Sequence, residues 1–171
     1  MLELRPANLV DAEAEWRFVA AMPADENGFT NDWPGVSREE FLQTALPRML
    51  AWSRGAGLPA GFVPETFLFL WDKNVIVGQF RVRHHLTEAL RAGAGHIGYY
   101  IAPEFRGRGY ASAGLRLALD YARTVVPEDE FYLRVNRDNL ASLRVMQKNG
   151  GRIVAEDEEK YYVRIKKGRL A

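Results

Sequence analysis

The sequence predicts a single α/β domain, and three observations carry the prediction. The 171 residues suit one domain, and a composition that is 47% hydrophobic and 12% aromatic supplies a sizeable core. Stretches of period-two apolar alternation exchange with stretches of helical period along the chain. The segment from Gly95 to Ala122 reads as strand, glycine-and-arginine turn and helix in direct succession. No repeat, low-complexity segment or linker divides the chain, so one domain is expected over residues 1–171.

Taken in order, Leu2 to Arg5 alternates as a first strand that Pro6 ends. Asn8 is positioned to cap a helix reaching about Met22, with Leu9, Ala12, Trp16, Val19 and Ala20 on its apolar side. Pro23 to Pro34 is a loop whose aromatics, Phe29 and Trp33, are expected to pack down. Ser37 and Glu40 form a capping box ahead of a helix carrying Phe41, Leu42, Ala45, Leu46, Met49 and Leu50, which Pro47 should kink or divide. After the glycine- and proline-rich loop Gly55–Pro64, Thr66–Trp71 and Val75–Val82 form an antiparallel hairpin around Asp72-Lys73-Asn74. Gly78 inside the second strand predicts a bulge or a close backbone neighbour. A short helix over His84–Arg91 precedes the central segment. Beyond it come a strand at Phe131–Val135, a helix at Ala141–Lys148 and a closing hairpin of Arg152–Ala155 with Tyr161–Ile165. Lys166, Lys167 and Arg169 form a polar tail.

Composition removes several classes of function. The net charge is +1, with no basic run for nucleic acid or an acidic membrane surface. The absence of cysteine excludes a disulfide framework, thiolate metal sites and transfer through an acetyl-cysteine. The N-terminus lacks the basic start and apolar core of a signal peptide, and no apolar run approaches the roughly 18 residues of a membrane span. A cytoplasmic protein without a membrane partner is the expectation.

The central turn has a physical reading of its own. The first N–H groups of a helix have no internal acceptor, and the helix dipole favours negative charge there. Gly107 and Gly109 allow close backbone approach, and Arg106 and Arg108 add positive charge, so the segment reads as a diphosphate cradle. The blander reading is a tight turn. Gly93-Ala94-Gly95-His96-Ile97-Gly98 matches the spacing of a dinucleotide fingerprint, but a strand follows where a helix should open, and no Walker-type loop is present.

Arg106-x-x-Gly109-x-Ala111, set between strand and helix, resembles the coenzyme A pyrophosphate motif of the GNAT superfamily of acetyl-coenzyme A-dependent N-acetyltransferases. Asn136-x-x-Asn139-x-x-Ser142, followed by Gly150, resembles the family's second block, in which an Asn caps the next helix beside the coenzyme A arm. The predicted element order fits the superfamily along nearly the whole chain. More narrowly, Arg83-His84-His85-Leu86, Gly95-His96-Ile97-Gly98-Tyr99 and Arg106 to Ala111 look like a branch of uncharacterised predicted bacterial acetyltransferases. The resemblance implies an acyl-CoA N-acyltransferase fold, with a mixed, mostly antiparallel central sheet flanked by helices. It implies acetyl-CoA as donor, bound by Ile101, Arg106, Gly107, Arg108, Gly109, Tyr110, Ala111 and Asn139, and direct transfer to an amine in a ternary complex.

The chain departs from the family at one position. The Tyr that commonly follows the Asn by seven residues, and protonates the leaving thiolate, is here Met146, a thioether without a proton to give. That proton must come from water, another side chain or the substrate. His96 is the first candidate for the base that deprotonates the amine, with Tyr100 on the same strand face and Glu65 and Glu104 as weaker alternatives. His84 and His85 point oppositely on a strand, so no metal site is expected. Arg134, Arg137 and Arg144 are candidates for the 3′-phosphate of coenzyme A. The acceptor, a small-molecule or peptide amine, is open. Homodimers are common in the family, and no residue here fixes an interface. A non-catalytic coenzyme A-binding module is the alternative, favoured by Met146.

Overall fold

The computed structural model describes residues 1–168, so Arg169 of the expected polar tail lies outside the described residues. The chain opens with β1 (Leu2–Pro6) and α1 (Ala12–Ala21). The helix begins later than an Asn8 cap would place it. The Asn8 side chain accepts the N–H groups of Val10 and Asp11, both at 2.9 Å, and closes a turn ahead of the helix. The expected Pro23–Pro34 loop holds a two-rung hairpin, β2 (Asp25–Glu26) and β3 (Phe29–Thr30), turned by Asn27 and Gly28 at φ of 53° and 84°. Trp33 packs down as expected, whereas Phe29 is only half-buried.

Ser37 caps the next helix by accepting the Glu40 N–H at 3.1 Å. The expected division falls just ahead of Pro47, which stands in the first turn of the second segment. Between α2 (Arg38–Glu40) and α3 (Leu46–Ser53), residues Phe41–Ala45 form a π-helical turn in which the Leu46 N–H reaches the Phe41 carbonyl. The wider turn carries the chain past the clash that a proline ring makes with the carbonyl four residues back.

The hairpin of β4 (Glu65–Asp72) and β5 (Val75–Arg83) follows. Both expectations for Gly78 hold. Leu70 pairs with Gly78 and Trp71 with Ile76, so Val77 is the extra residue of a bulge. A Cβ on Gly78 would lie 2.6 Å from the Ile101 side chain and 2.7 Å from the Tyr100 carbonyl. A short α4 (Glu88–Ala92), capped by Thr87, leads to β6 (Ile97–Ile101). Then come a 3₁₀ turn at Pro103–Phe105, α5 (Tyr110–Val125), β7 (Glu130–Asn136), α6 (Leu140–Lys148), β8 (Arg152–Glu156) and β9 (Lys160–Lys166).

The strands form two larger antiparallel sheets rather than one continuous sheet: β1-β4-β5-β6 and β7-β9-β8. One hydrophobic core spans both. Leu115, Ala118, Leu119 and Ala122 of α5 pack on Leu68, Leu70, Phe80 and Val82 of the first sheet and on Phe131, Leu133 and Val135 of the second. A Cβ on Gly114 would meet the Phe80 ring at 2.4 Å, so a glycine lets α5 approach β5 at this point. A second core, with Phe67, Phe69 and Trp71, lies on the opposite face of the first sheet beneath α1 and α3. No helix among the described residues is long and apolar enough to cross a membrane.

Glu15 is a charge-bearing residue sunk beneath α1 with no surface exposure. One carboxyl oxygen accepts the Asn8 N–H at 3.1 Å and the other has no partner. Burial pushes its pKa up to about 8. An acid whose folded pKa lies above its unfolded value stabilises the fold below the unfolded value, and that contribution is lost as pH rises through the folded one. Chemical denaturation should therefore show wild type losing on the order of a few kcal/mol between about pH 5 and pH 8 relative to Glu15→Gln. Parallel pH profiles for the two proteins would refute the assignment.

Candidate active site

The site is built where β6 and β7 meet and part. At one end they are joined by backbone, with the His96 N–H donating to the Tyr132 carbonyl at 2.7 Å. The next ladder bond is not made. The Tyr132 N–H donates to His96 Nδ1 at 2.9 Å, so an imidazole takes the place of the carbonyl that a parallel ladder would offer it from Ala94, on the closed side of the junction. Gly95 permits this approach, because at φ 69° a Cβ there would lie 2.1 Å from the Tyr132 carbonyl oxygen. Beyond this staple both strands run toward Ile101 and Asn136 with no ladder between them, leaving a cleft of about 660 Å³.

His96 itself is fully buried, edge-on to Phe131 and Tyr132. Because Nδ1 accepts, the ring hydrogen sits on Nε2 and donates to Glu128 at 3.1 Å. Glu128 also receives the Leu86 N–H at 3.0 Å. Burial holds the imidazole below its ordinary value, against the pull of Glu128. Two observations weigh against the expectation that His96 is the base: both ring nitrogens are committed to protein partners, and the residue does not line the cleft. Glu65 and Glu104 do not line it either. Glu65 is buried in a fork with Arg81, at 3.1 and 3.0 Å.

Period-two alternation divides the cleft into two halves. Tyr99 and Ile101 face α5, whereas Gly98 and Tyr100 face the α1 side. The α5 half holds most of the expected cofactor-binding positions. Gly107 and Gly109 adopt φ of 75° and 82°, with open space where a Cβ would project. Gly109 caps α5 without any side-chain bond, and the first helical bond is from the Ala113 N–H to the Gly109 carbonyl at 3.1 Å. The N–H groups from Gly109 to Ser112 therefore have no intrahelical acceptor. Gly107, Gly109, Tyr110, Ala111 and Asn139 line the cleft. Tyr110 does so with its hydroxyl tied to Asp72 at 2.6 Å. Ile101 also lines it. Since the Ala102 N–H bonds to Val77 of β5, the N–H of Ile101 points the other way, into the cleft.

Two arginines of the turn behave differently from a pair of free cations. Arg106 donates from Nε to the Ile101 carbonyl at 2.9 Å and from both terminal nitrogens to Glu26, at 3.2 and 2.5 Å. Arg108 does not line the cleft and lies over Phe105. Asn139 accepts the Ser142 N–H at 3.2 Å, capping α6 at the mouth of the cleft. Of the arginines considered for a 3′-phosphate, Arg144 lines the cleft from α6 and Arg137 does not. Arg134 lines it from the opposite face of β7 to the buried Leu133 and Val135.

Sequence reasoning missed two features. The Tyr99 hydroxyl meets Ser142 Oγ at 2.6 Å, one helical turn before Met146, so a phenol from β6 overlies the face on which the usual Tyr would stand. Burial raises its pKa to about 12. The α1-side half is walled by Arg81, Arg83, Arg134, Phe29 and Tyr100. The spacing of residues 81 and 83 carried that signal, since alternation puts both on one face. No group of three or more His, Cys, Asp or Glu side chains among the described residues is placed to hold a metal ion.

A model of the acetyltransferase (GNAT) domain matches residues 1–152, and the chain belongs to that family. A stretch of 63 residues is 30% identical to spermidine N(1)-acetyltransferase of Escherichia coli (strain K12). It covers 37% of this chain and 34% of that protein, so the match spans about a third of the curated relative. Among solved structures, Mycobacterium smegmatis RimJ in complex with CoA-disulfide is similar with a TM-score of 0.67 at 22% identity, over 96% of this chain and 81% of that one. Campylobacter jejuni N-acetyltransferase PseH in complex with acetyl coenzyme A is similar with a TM-score of 0.60 at 17% identity, over 98% and 100%. These likenesses establish the GNAT fold.

The staple can be tested by removing it. His96→Ala leaves a cavity and strands the Tyr132 N–H, and should cost about 3 kcal/mol in chemical denaturation. Because the folded pKa of His96 is depressed, its contribution is full above the ordinary value of 6.5 and is lost as pH falls below it. The alanine variant should lack that acid-side loss. A variant as stable as wild type would remove the staple from the account.

Proposed function

We propose that the protein is an N-acetyltransferase that moves an acetyl group from acetyl-CoA to an amine by direct attack within the cleft. The observation that carries this reading is the start of α5. An uncapped helix N-terminus, beneath a left-handed glycine turn, opens onto a gap between strands of a GNAT fold. Those N–H groups suit a diphosphate, and Gly107, Gly109, Tyr110 and Ala111 would hold it largely through backbone. Arg106 supports the turn from behind, through Ile101 and Glu26. Asn139 would flank the coenzyme A arm. The Ile101 N–H is suited to the developing oxyanion.

The donor supplies an activated thioester. The amine lone pair attacks its carbonyl carbon, the C–N bond forms, the C–S bond breaks, and a proton passes from the amine while the thiolate takes one up. Tyr99 is the proposed proton donor to that thiolate: it borders the cleft, burial keeps its phenol protonated at rest, and its hydroxyl would turn to the thiolate from the Ser142 carbonyl and Oγ, which it meets at 3.2 and 2.6 Å. This arrangement also weighs against a coenzyme A-binding module without turnover, since Met146 is not the only place from which a donor could reach. The cytoplasm remains the proposed location.

Calorimetric titration with acetyl-CoA tests the site. Wild type should bind, and Gly109→Trp, with a bulky side chain at a left-handed position over the cradle, should not. A wild type that does not bind acetyl-CoA would overturn the reading. Tyr99→Phe should retain acetyl-CoA affinity and lower kcat by about a hundredfold, the scale of a lost proton donor. An unchanged kcat would return the proton to water.

A further inference from the structure

We propose that the acceptor is a small amine that also carries an anionic group, a carboxylate or a phosphate-type oxyacid, seated on Arg83 and Arg134. The inference rests on the acetyl-transfer reading and deepens it.

The wall opposite the cofactor half carries more positive charge than it neutralises. Arg81, Arg83 and Arg134 line it, and Glu65 is the carboxylate set among them. Glu65 is spent on the fork with Arg81, whose third nitrogen, Nη1, donates to the Thr30 carbonyl at 2.9 Å. Arg83 stands 3.7 Å from Glu65 and bonds the Gly95 carbonyl at 3.2 Å. Burial lowers its pKa, the Glu65 charge opposes that, and the charges of Arg81 and Arg134 lower it further. Arg134 is exposed and has neither an ion pair nor a hydrogen bond among the described residues. Glu26, the carboxylate that does line the cleft, is held by Arg106.

Two consequences follow from that charge balance. A polycation such as spermidine would bring ammonium groups against arginines with no carboxylate free to receive them, so the name of the curated relative does not fit this wall. An oxyanion, in contrast, can take the planar donors of guanidinium groups in charge-assisted bonds. The same field disfavours an ammonium ion near the thioester, and so favours the neutral amine that attacks. Phe29 and Tyr100, stacked with centroids 6.2 Å apart, give the same half an aromatic side for an apolar substituent.

Thiol release from acetyl-CoA should be followed with phenylalanine and 2-aminoethylphosphonate, against phenylalaninamide, phenethylamine and spermidine. The better anionic amine should exceed every amine lacking an anion by about tenfold or more in kcat/KM, the scale of one charge-assisted bond. Carboxylate against phosphonate distinguishes the two anion types. Arg134→Gln, at an exposed position that does not threaten folding, should abolish the preference by raising KM for the anionic amine without changing KM for acetyl-CoA. Arg83→Gln should do the same. Spermidine or phenethylamine as the better substrate, or a preference that survives both substitutions, would overturn the inference. So would acetyl-CoA binding with neither turnover nor calorimetric binding of the two anionic amines. Failure to bind acetyl-CoA at all would instead overturn the transfer reading beneath it.

Discussion

The site depends on one junction: His96 ties β6 to β7 through its backbone N–H and its imidazole, and no ladder follows. Two strands that meet in register ordinarily zip along their whole length, since each unmade ladder bond in an interior leaves polar groups without partners. Here both bonds of the junction belong to His96, and past it the strands part. The candidate site lies beyond that junction, where β6 and β7 present backbone groups and alternating side chains to an open gap. The core beneath is indifferent to the break. α5 packs on both sheets at once, so the two halves remain one body while their shared edge stays open.

The fold was legible because each element announced itself by local chemistry. The Ser37 cap, the bulge at Gly78, the strand-turn-helix at Gly95–Ala122 and the closing hairpin all stand where their residue types require. The departures were local too. Asn8 made its turn with its own neighbours before the helix began, and the division at Pro47 took the form of a π turn just ahead of it. Neither outcome is visible in periodicity, because each depends on where the backbone must go next.

The site was legible in proportion to how much of it is backbone. Gly107, Gly109 and Ala111 can be found from spacing, since a cradle made of N–H groups needs small residues at fixed intervals. Side-chain roles were not recoverable in the same way. His96 sits at the right place along the chain for a base, but its partners are Tyr132 and Glu128, which lie 36 and 32 residues away. Tyr99 gains its meaning only from Ser142, on another element. The arginine wall draws on β5 and β7, and its charge is readable only once Glu65 is seen to be occupied by Arg81.

The hairpin β2–β3 joins the two halves of the cleft mechanically. Its Glu26 grips Arg106 at the turn before α5, its Thr30 carbonyl receives Arg81, and its Phe29 stacks on Tyr100. An anion that drew Arg106 away from Glu26 would loosen the same ribbon that shapes the opposite wall. Thermodynamic linkage makes such an effect reciprocal, so the affinities on the two sides change by one common factor. Cooperativity between the two ligands would then reside in a surface ribbon of six residues, Asp25 to Thr30, and be adjustable there without disturbing either sheet.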